Sequence, residues 1–165
     1  MGYTDRVVEH EHRLDENVES MTRMGRSVLL VEDNDDHAEL VRRALKLSGQ
    51  PHELVRLEDG EQALSYLVTT ADADVNRTKC ALILLDLRLP RVSGIEVLQS
   101  LRELNKPVGP VVVLTTSAGD GDITAAYENG AHAYVVKPVD FRSFGELVRD
   151  LARFWLNWNK TPTGC

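Results

Sequence analysis

At 165 residues and a formal net charge of −7, the chain is sized for one domain with a real core, and its acidity argues against a nucleic-acid partner, which would need a basic face. With 42% hydrophobic and 27% charged residues it has the composition of an ordinary globular protein rather than a disordered or fibrous one. No apolar run approaches the roughly 18 residues of a membrane span, and the N-terminus lacks a signal peptide's apolar core, so a cytoplasmic protein with no membrane contact is expected. Cys80 and Cys165 have neither metal-ligand nor redox-motif spacing and read as free thiols.

In chain order, residues 1–25 are rich in Glu, Arg and His and read as a solvated or loosely helical extension. From Ser27 the character changes. Val28 to Val31 is a short apolar strand that stops on Glu32-Asp33-Asn34-Asp35-Asp36, and a helix is predicted from about Asp35 to Leu47, ended by Gly49. His52 to Leu57 reads as a less apolar strand near a sheet edge. Asp59-Gly60 then opens a helix, and Thr70 to Lys79 reads as a loop.

Ala81 to Leu85 is an apolar run ending on Asp86, the pattern of a strand buried on both faces. Gly94 begins a helix closed by Pro107 to Pro110, and Val111 to Leu114 is the next buried strand, ending on Thr115. Asp120 to Asn129 reads as a weakly amphipathic helix and Ala133 to Val136 as a fifth strand that stops on Lys137. A long last helix is expected from Asp140 to about Trp158. Strands and helices alternating at this interval imply right-handed crossovers, hence an α/β fold: a five-stranded parallel sheet, doubly wound (βα)5 and flavodoxin-like.

Alone, Asp86 reads more readily as a turn or helix cap than as a reactive group. Its neighbours change that. In a parallel sheet all carboxyl ends point one way, so Glu32, Asp33, Asp86, Thr115 and Lys137 converge on one patch. Converging carboxylates call for a cation, and oxygen-only donors suit Mg²⁺, with Mn²⁺ as a substitute, better than Zn²⁺. The set suits phosphoryl transfer to a carboxylate: Asp86 attacks, the metal and Lys137 screen the oxygens, and the Thr115 hydroxyl donates to one of them.

These residues resemble the receiver domain of two-component response regulators over about Ser27 to Leu156. The matching motifs are Leu-Leu-Val-Glu32-Asp33-Asn, Leu-Leu-Asp86-Leu-Arg-Leu-Pro90-Arg-Val-Ser-Gly94, Val-Leu-Thr115-Thr-Ser and Tyr134-Val-Val-Lys137-Pro138. The resemblance implies that Asp86 accepts a phosphoryl group from a sensor histidine kinase. It also implies that Asp33 and Asp86 ligate Mg²⁺ directly, with the Arg88 backbone carbonyl as third protein ligand and Glu32 acting through water. Lys137 would pair with the phosphoryl oxygens, the Lys137–Pro138 bond would be cis, and Thr115 and Tyr134 would form the switch. Two features depart from the family pattern: Thr116 stands where Ala or Gly is usual, and the connection before the third strand is long. The latter, with the Thr-Thr-Ser sequence and the aromatic tail, resembles the small regulators that partner phytochrome-like kinases.

The expected division is 1–25 extension, 26–158 receiver domain and 159–165 tail. The tail is too short for an output domain, so the expected output is a protein contact, with catalysis limited to the chain's own phosphorylation and dephosphorylation. Leu147, Phe154 and Trp158 at the margin of the last helix suggest a second buried face and hence a homodimer. Three other readings compete: a Mg²⁺-dependent phosphatase with an aspartyl-phosphate intermediate, a non-phosphorylated receiver-like scaffold, and a flavodoxin-like nucleotide binder. Such phosphatases usually carry a second Asp two residues after the nucleophile, where this chain has Arg88. No Gly-rich phosphate loop follows the first strand.

Overall fold

The computed structural model describes residues 27–50, 52–72, 80–105 and 108–160, with the side chains of residues 70–72 left aside. The extension 1–25, most of the loop before the third strand and the end of the tail lie outside the described residues.

Five short strands form one parallel sheet in the order β2-β1-β3-β4-β5. They are β1 (Ser27–Val31), β2 (Glu53–Leu57), β3 (Leu82–Leu85), β4 (Val111–Thr115) and β5 (Ala133–Val136). The alternating helices are α1 (Asp35–Leu47), α2 (Gly60–Asp72), α3 (Gly94–Leu104), α4 (Asp120–Glu128) and α5 (Phe141–Arg153). This is the expected flavodoxin-like doubly wound arrangement, with its three central strands apolar except for Ser27 at the start of β1 and Thr115 at the end of β4, because helices cover both faces.

The period of two sorts those apolar side chains to opposite faces. Val28, Leu30, Leu82, Leu84, Val112 and Leu114 meet Val41 and Leu45 of α1 and Phe144 and Val148 of α5. Leu29, Val31, Ile83, Leu85, Val111 and Val113 meet Ala63, Leu67, Val97 and Leu98 on the other side. Burying one such side chain stabilises the fold by about 1.5–3 kcal/mol, so these two packed faces carry much of its stability.

The helix ends follow local chemistry. Asn34 caps α1 by accepting from the His37 N–H at 2.9 Å, and Gly49 leaves the helix at a φ of 71°, where a side chain would be strained. Ser93 and Glu96 form a reciprocal capping box on α3. Gly94 is required for a different reason: a Cβ there would sit 2.3 Å from the Asp86 carbonyl oxygen. The close approach seats α3 directly beneath the acid.

Three expectations are corrected. The helix α2 continues through Asp72, past the start of the expected loop at Thr70, because Val68, Thr69 and the residues after them contain no Gly or Pro to stop it. The last helix is α-helical only to Arg153 and then widens into a π-helical turn, Phe154–Trp158, with the Asn159 N–H bonded to the Phe154 carbonyl at 2.7 Å. The Lys137–Pro138 bond, implied to be cis, is trans, the isomer favoured for an X–Pro bond by about 0.5–1 kcal/mol.

Candidate functional site

The sheet ladder itself delivers the site. One residue beyond each strand, the Glu32 N–H bonds to the Leu57 carbonyl at 3.0 Å, the Asp86 N–H to Val31 at 3.0 Å and the Lys137 N–H to Thr115 at 2.7 Å. Glu32, Asp86, Lys137 and, as an acceptor, Thr115 are therefore positioned by backbone bonds between strands before their side chains make any contact. Glu32, Asp86, Thr115 and Lys137 are all buried, while Asp33 is exposed beside them.

Lys137 unites the acids. Its Nζ donates to Glu32 Oε2 at 2.5 Å and to Asp86 Oδ2 at 2.6 Å. Two carboxylates confined to a buried pocket need such a cation, since water no longer screens them. The other Asp86 oxygen, Oδ1, accepts the Arg88 N–H at 3.0 Å, and the Asn34 N–H holds Glu32 Oε1 at 3.1 Å. Both acids are thus fixed in orientation by backbone donors.

Carboxylate oxygens of Glu32, Asp33 and Asp86 lie within 4.8 Å of one another. Three all-oxygen donors, two buried and one open to solvent, fit a hard divalent cation that keeps part of its water shell, as Mg²⁺ does.

Thr115 ends β4 at the same edge, and its Oγ1 accepts from the Ser117 N–H at 3.4 Å. The Tyr134 ring packs against the core on the α3 side, and its hydroxyl donates to the Ser117 carbonyl at 3.0 Å. Burial pushes the Tyr134 phenol above its ordinary pKa, which keeps it a donor. The Arg88 side chain points away from Asp86, to Asp122 on α4.

Sequence reasoning missed three contributors. His37, on the first turn of α1, places Nδ1 3.3 Å from Lys137 Nζ and 3.4 Å from Glu32 Oε1, with its ring edge-on to Phe144. Arg56 on β2 donates to the carbonyls of Glu32 at 3.1 Å and Asp33 at 3.2 Å, clamping the acidic loop. Asp59, buried at the start of α2, pairs with Arg91 from the loop after β3. Of the three, Asp59 was legible only as the residue that opens α2.

A parallel sheet with acids and one lysine gathered at its carboxyl edge defines the class: flavodoxin-like α/β proteins that work at a topological switch point. Residues 28–149 match the family model of the response regulator receiver domain, and the chain belongs to that family, in which phosphorylation and Mg²⁺ binding are typical. The probable methanogenesis regulatory protein FilR2 of Methanothrix harundinacea is 40% identical over 136 residues, covering 82% of this chain and 86% of its own. The response regulator Rcp1 of Synechocystis sp. is 38% identical over 137 residues, covering 82% and 92%. The crystal structure of Mn²⁺-bound Rcp1 aligns with a TM-score of 0.73 at 36% identity, covering 84% of this chain and 99% of that one. The phosphorylated cyanobacterial phytochrome response regulator RcpA aligns with a TM-score of 0.75 at 34% identity, with the same coverage. Relatives of this kind act with sensor histidine kinases.

Proposed function

We propose that residues 26–158 form a phosphorylation switch in which Asp86 accepts a phosphoryl group from a phytochrome-like sensor histidine kinase. Residues 1–25 and 159–165 flank it as extension and tail. The observation that carries this reading is the buried Lys137 ammonium bridging Glu32 and Asp86 beside the open carboxylate of Asp33. An Asp86 oxygen forms the O–P bond as the N–P bond of the phosphohistidine breaks, and the electron pair leaves with the imidazole. Lys137 follows the charge from carboxylate to phosphoryl oxygens, and the Thr115 hydroxyl donates to another of them.

Asp33, Asp86 and the backbone carbonyl of Arg88 would hold Mg²⁺, with Glu32 acting through water; Mn²⁺ is the natural substitute. The ion supplies charge neutralisation at the incoming phosphoryl group. Thr115 and Tyr134 transmit the change through Ser117, which both contact. The chain catalyses its own phosphorylation and dephosphorylation and turns over no separate metabolite. Its output is a protein contact, made in the cytoplasm; among the described residues no helix is long and apolar enough to cross a membrane. A homodimer through the last helix completes the reading, supported by the exposed rings of Phe154 and Trp158.

The test is incubation with Mg²⁺ and acetyl phosphate followed by intact-protein mass spectrometry. One labile phosphoryl group on the wild type and none on Asp86→Asn is expected. A wild type that stays unlabelled, or an Asp86→Asn variant that labels equally well, overturns the proposal.

A further inference from the structure

We infer that Asp122 is a positioning residue that holds the Arg88 guanidinium away from Asp86, so that an arriving phosphoryl group must win Arg88 from α4. This rests on Asp86 being the phospho-acceptor. Arg88 is only two residues beyond Asp86, and its N–H already donates to Asp86 Oδ1 at 3.0 Å, so its backbone is anchored at the acid. Its side chain nevertheless runs to α4, where Nη2 lies 3.4 Å from Asp122 Oδ2. That same oxygen accepts the Ser117 hydroxyl, whose own residue's carbonyl receives the Tyr134 hydroxyl at 3.0 Å. One carboxylate oxygen therefore ties the loop after β3, the loop after β4 and the first turn of α4.

The pair is built to be exchanged. Arg88 is 71% exposed and Asp122 38%, and an exposed ion pair of this kind is weak. A phosphoryl group on Asp86 offers the planar guanidinium more negative charge and three acceptor oxygens in place of one carboxylate. Arg88 leaves Asp122 when Asp86 is phosphorylated, and Asp122 then keeps Ser117 alone. Before phosphorylation the same pairing subtracts a cation from the approach of an anionic donor, which slows entry. Tyr134 reads both states, because its hydroxyl rests on Ser117.

The test is a double-mutant cycle on the full chain with Mg²⁺ and acetyl phosphate, reading the initial rate of phosphoprotein formation by mass spectrometry. Asp122→Asn keeps an oxygen for Ser117 and removes the charge. It should label about three- to tenfold faster than wild type, the scale of one coupled charge contact. In an Arg88→Ala background the same substitution should leave the rate unchanged, and Asp122→Glu should stay close to wild type. Equal acceleration with and without Arg88, or none with it, overturns the inference while leaving the acceptor role of Asp86 intact. Absence of label on the wild type overturns the proposed function and this inference with it. Unchanged thermal unfolding of each variant is required for the rates to count, and a variant that unfolds is replaced by Asp122→Ser.

Discussion

Lys137 carries one positive charge against two buried carboxylates, and its three ammonium donors face Glu32, Asp86 and His37. Replacing it by methionine keeps most of the length and an apolar stem but leaves Glu32 and Asp86 facing each other without the lysine cation. Breaking a buried pair from one side costs about 3–5 kcal/mol, because the remaining charges stay desolvated. Lys137→Met should therefore lose stability on that scale in urea denaturation with a chelator present, and recover part of it in millimolar Mg²⁺. A loss below about 1 kcal/mol in chelator would mean that Lys137 does not balance these acids. That Glu32, Asp86, Thr115 and Lys137 gather at one edge was legible from the sequence because each closes an apolar run; the approach of His37 and Arg56 was not. The direction of Arg88 was not: nothing in the spacing Asp86-Leu87-Arg88 says that the guanidinium turns to α4.

At the scale of elements, the loop carrying Asp86 is pinned to α2 as well as to its own strand. Asp59 caps α2 by accepting the Gln62 N–H at 2.8 Å through Oδ1, and its Oδ2 accepts from Arg91, a non-glycine residue at a φ of 65°. Glu61 adds a looser contact to Arg91 at 3.8 Å. The Gln62 N–H first, and the Arg91 guanidinium with it, hold the Asp59 carboxyl below its ordinary range, against the opposing effect of burial. A lowered folded-state pKa means the unfolded chain binds the proton more readily. The contribution of Asp59 is thus complete above about pH 4 and is lost as the pH falls through the folded value. Wild type should exceed Asp59→Asn in urea midpoint by a constant margin from pH 7 to about pH 5, and the margin should shrink toward pH 3. A margin as large at pH 3 as at pH 7 would refute this account.

The elements themselves were readable where one period dominated: Val28 to Val31, Asp35 to Leu47 and Leu82 to Leu85 appear within a residue of their predicted bounds. The Asp59–Arg91 tie was not readable. It joins residues 32 apart, through a backbone turn that no local residue preference announces.

At the scale of the whole sheet, its two ends differ in kind. The carboxyl edge of the sheet gathers charge; the opposite edge, at the start of β5, gathers rings. There the Trp155 ring stands edge-on to His132 at 6.4 Å and to Phe154 at 5.1 Å, while Leu156 is buried. Phe154 and Trp158 remain 52% and 70% exposed on the outer side of the π-helical turn. Leu147, expected on this second face, instead packs partly buried against the core beneath α5, so the candidate contact is confined to the final turn. The sequence showed a surplus of apolar side chains on the last helix but not which of them the domain would consume, because the widened turn alters the angles between them.

Large rings left outward next to an edge strand invite a second copy of the chain, which would cover both the rings and the open side of β5. If this is the dimer contact, Phe154→Glu with Trp158→Glu should convert a dimer to a monomer in sedimentation velocity at micromolar concentration. Labelling of Asp86 by acetyl phosphate should persist, since the substituted rings lie at the far end of the sheet from the acceptor. Wild type sedimenting as a monomer would rule out the contact outright. A variant that dimerises as well as wild type would move the interface elsewhere, leaving Phe154 and Trp158 free for the protein that reads the phosphorylated state.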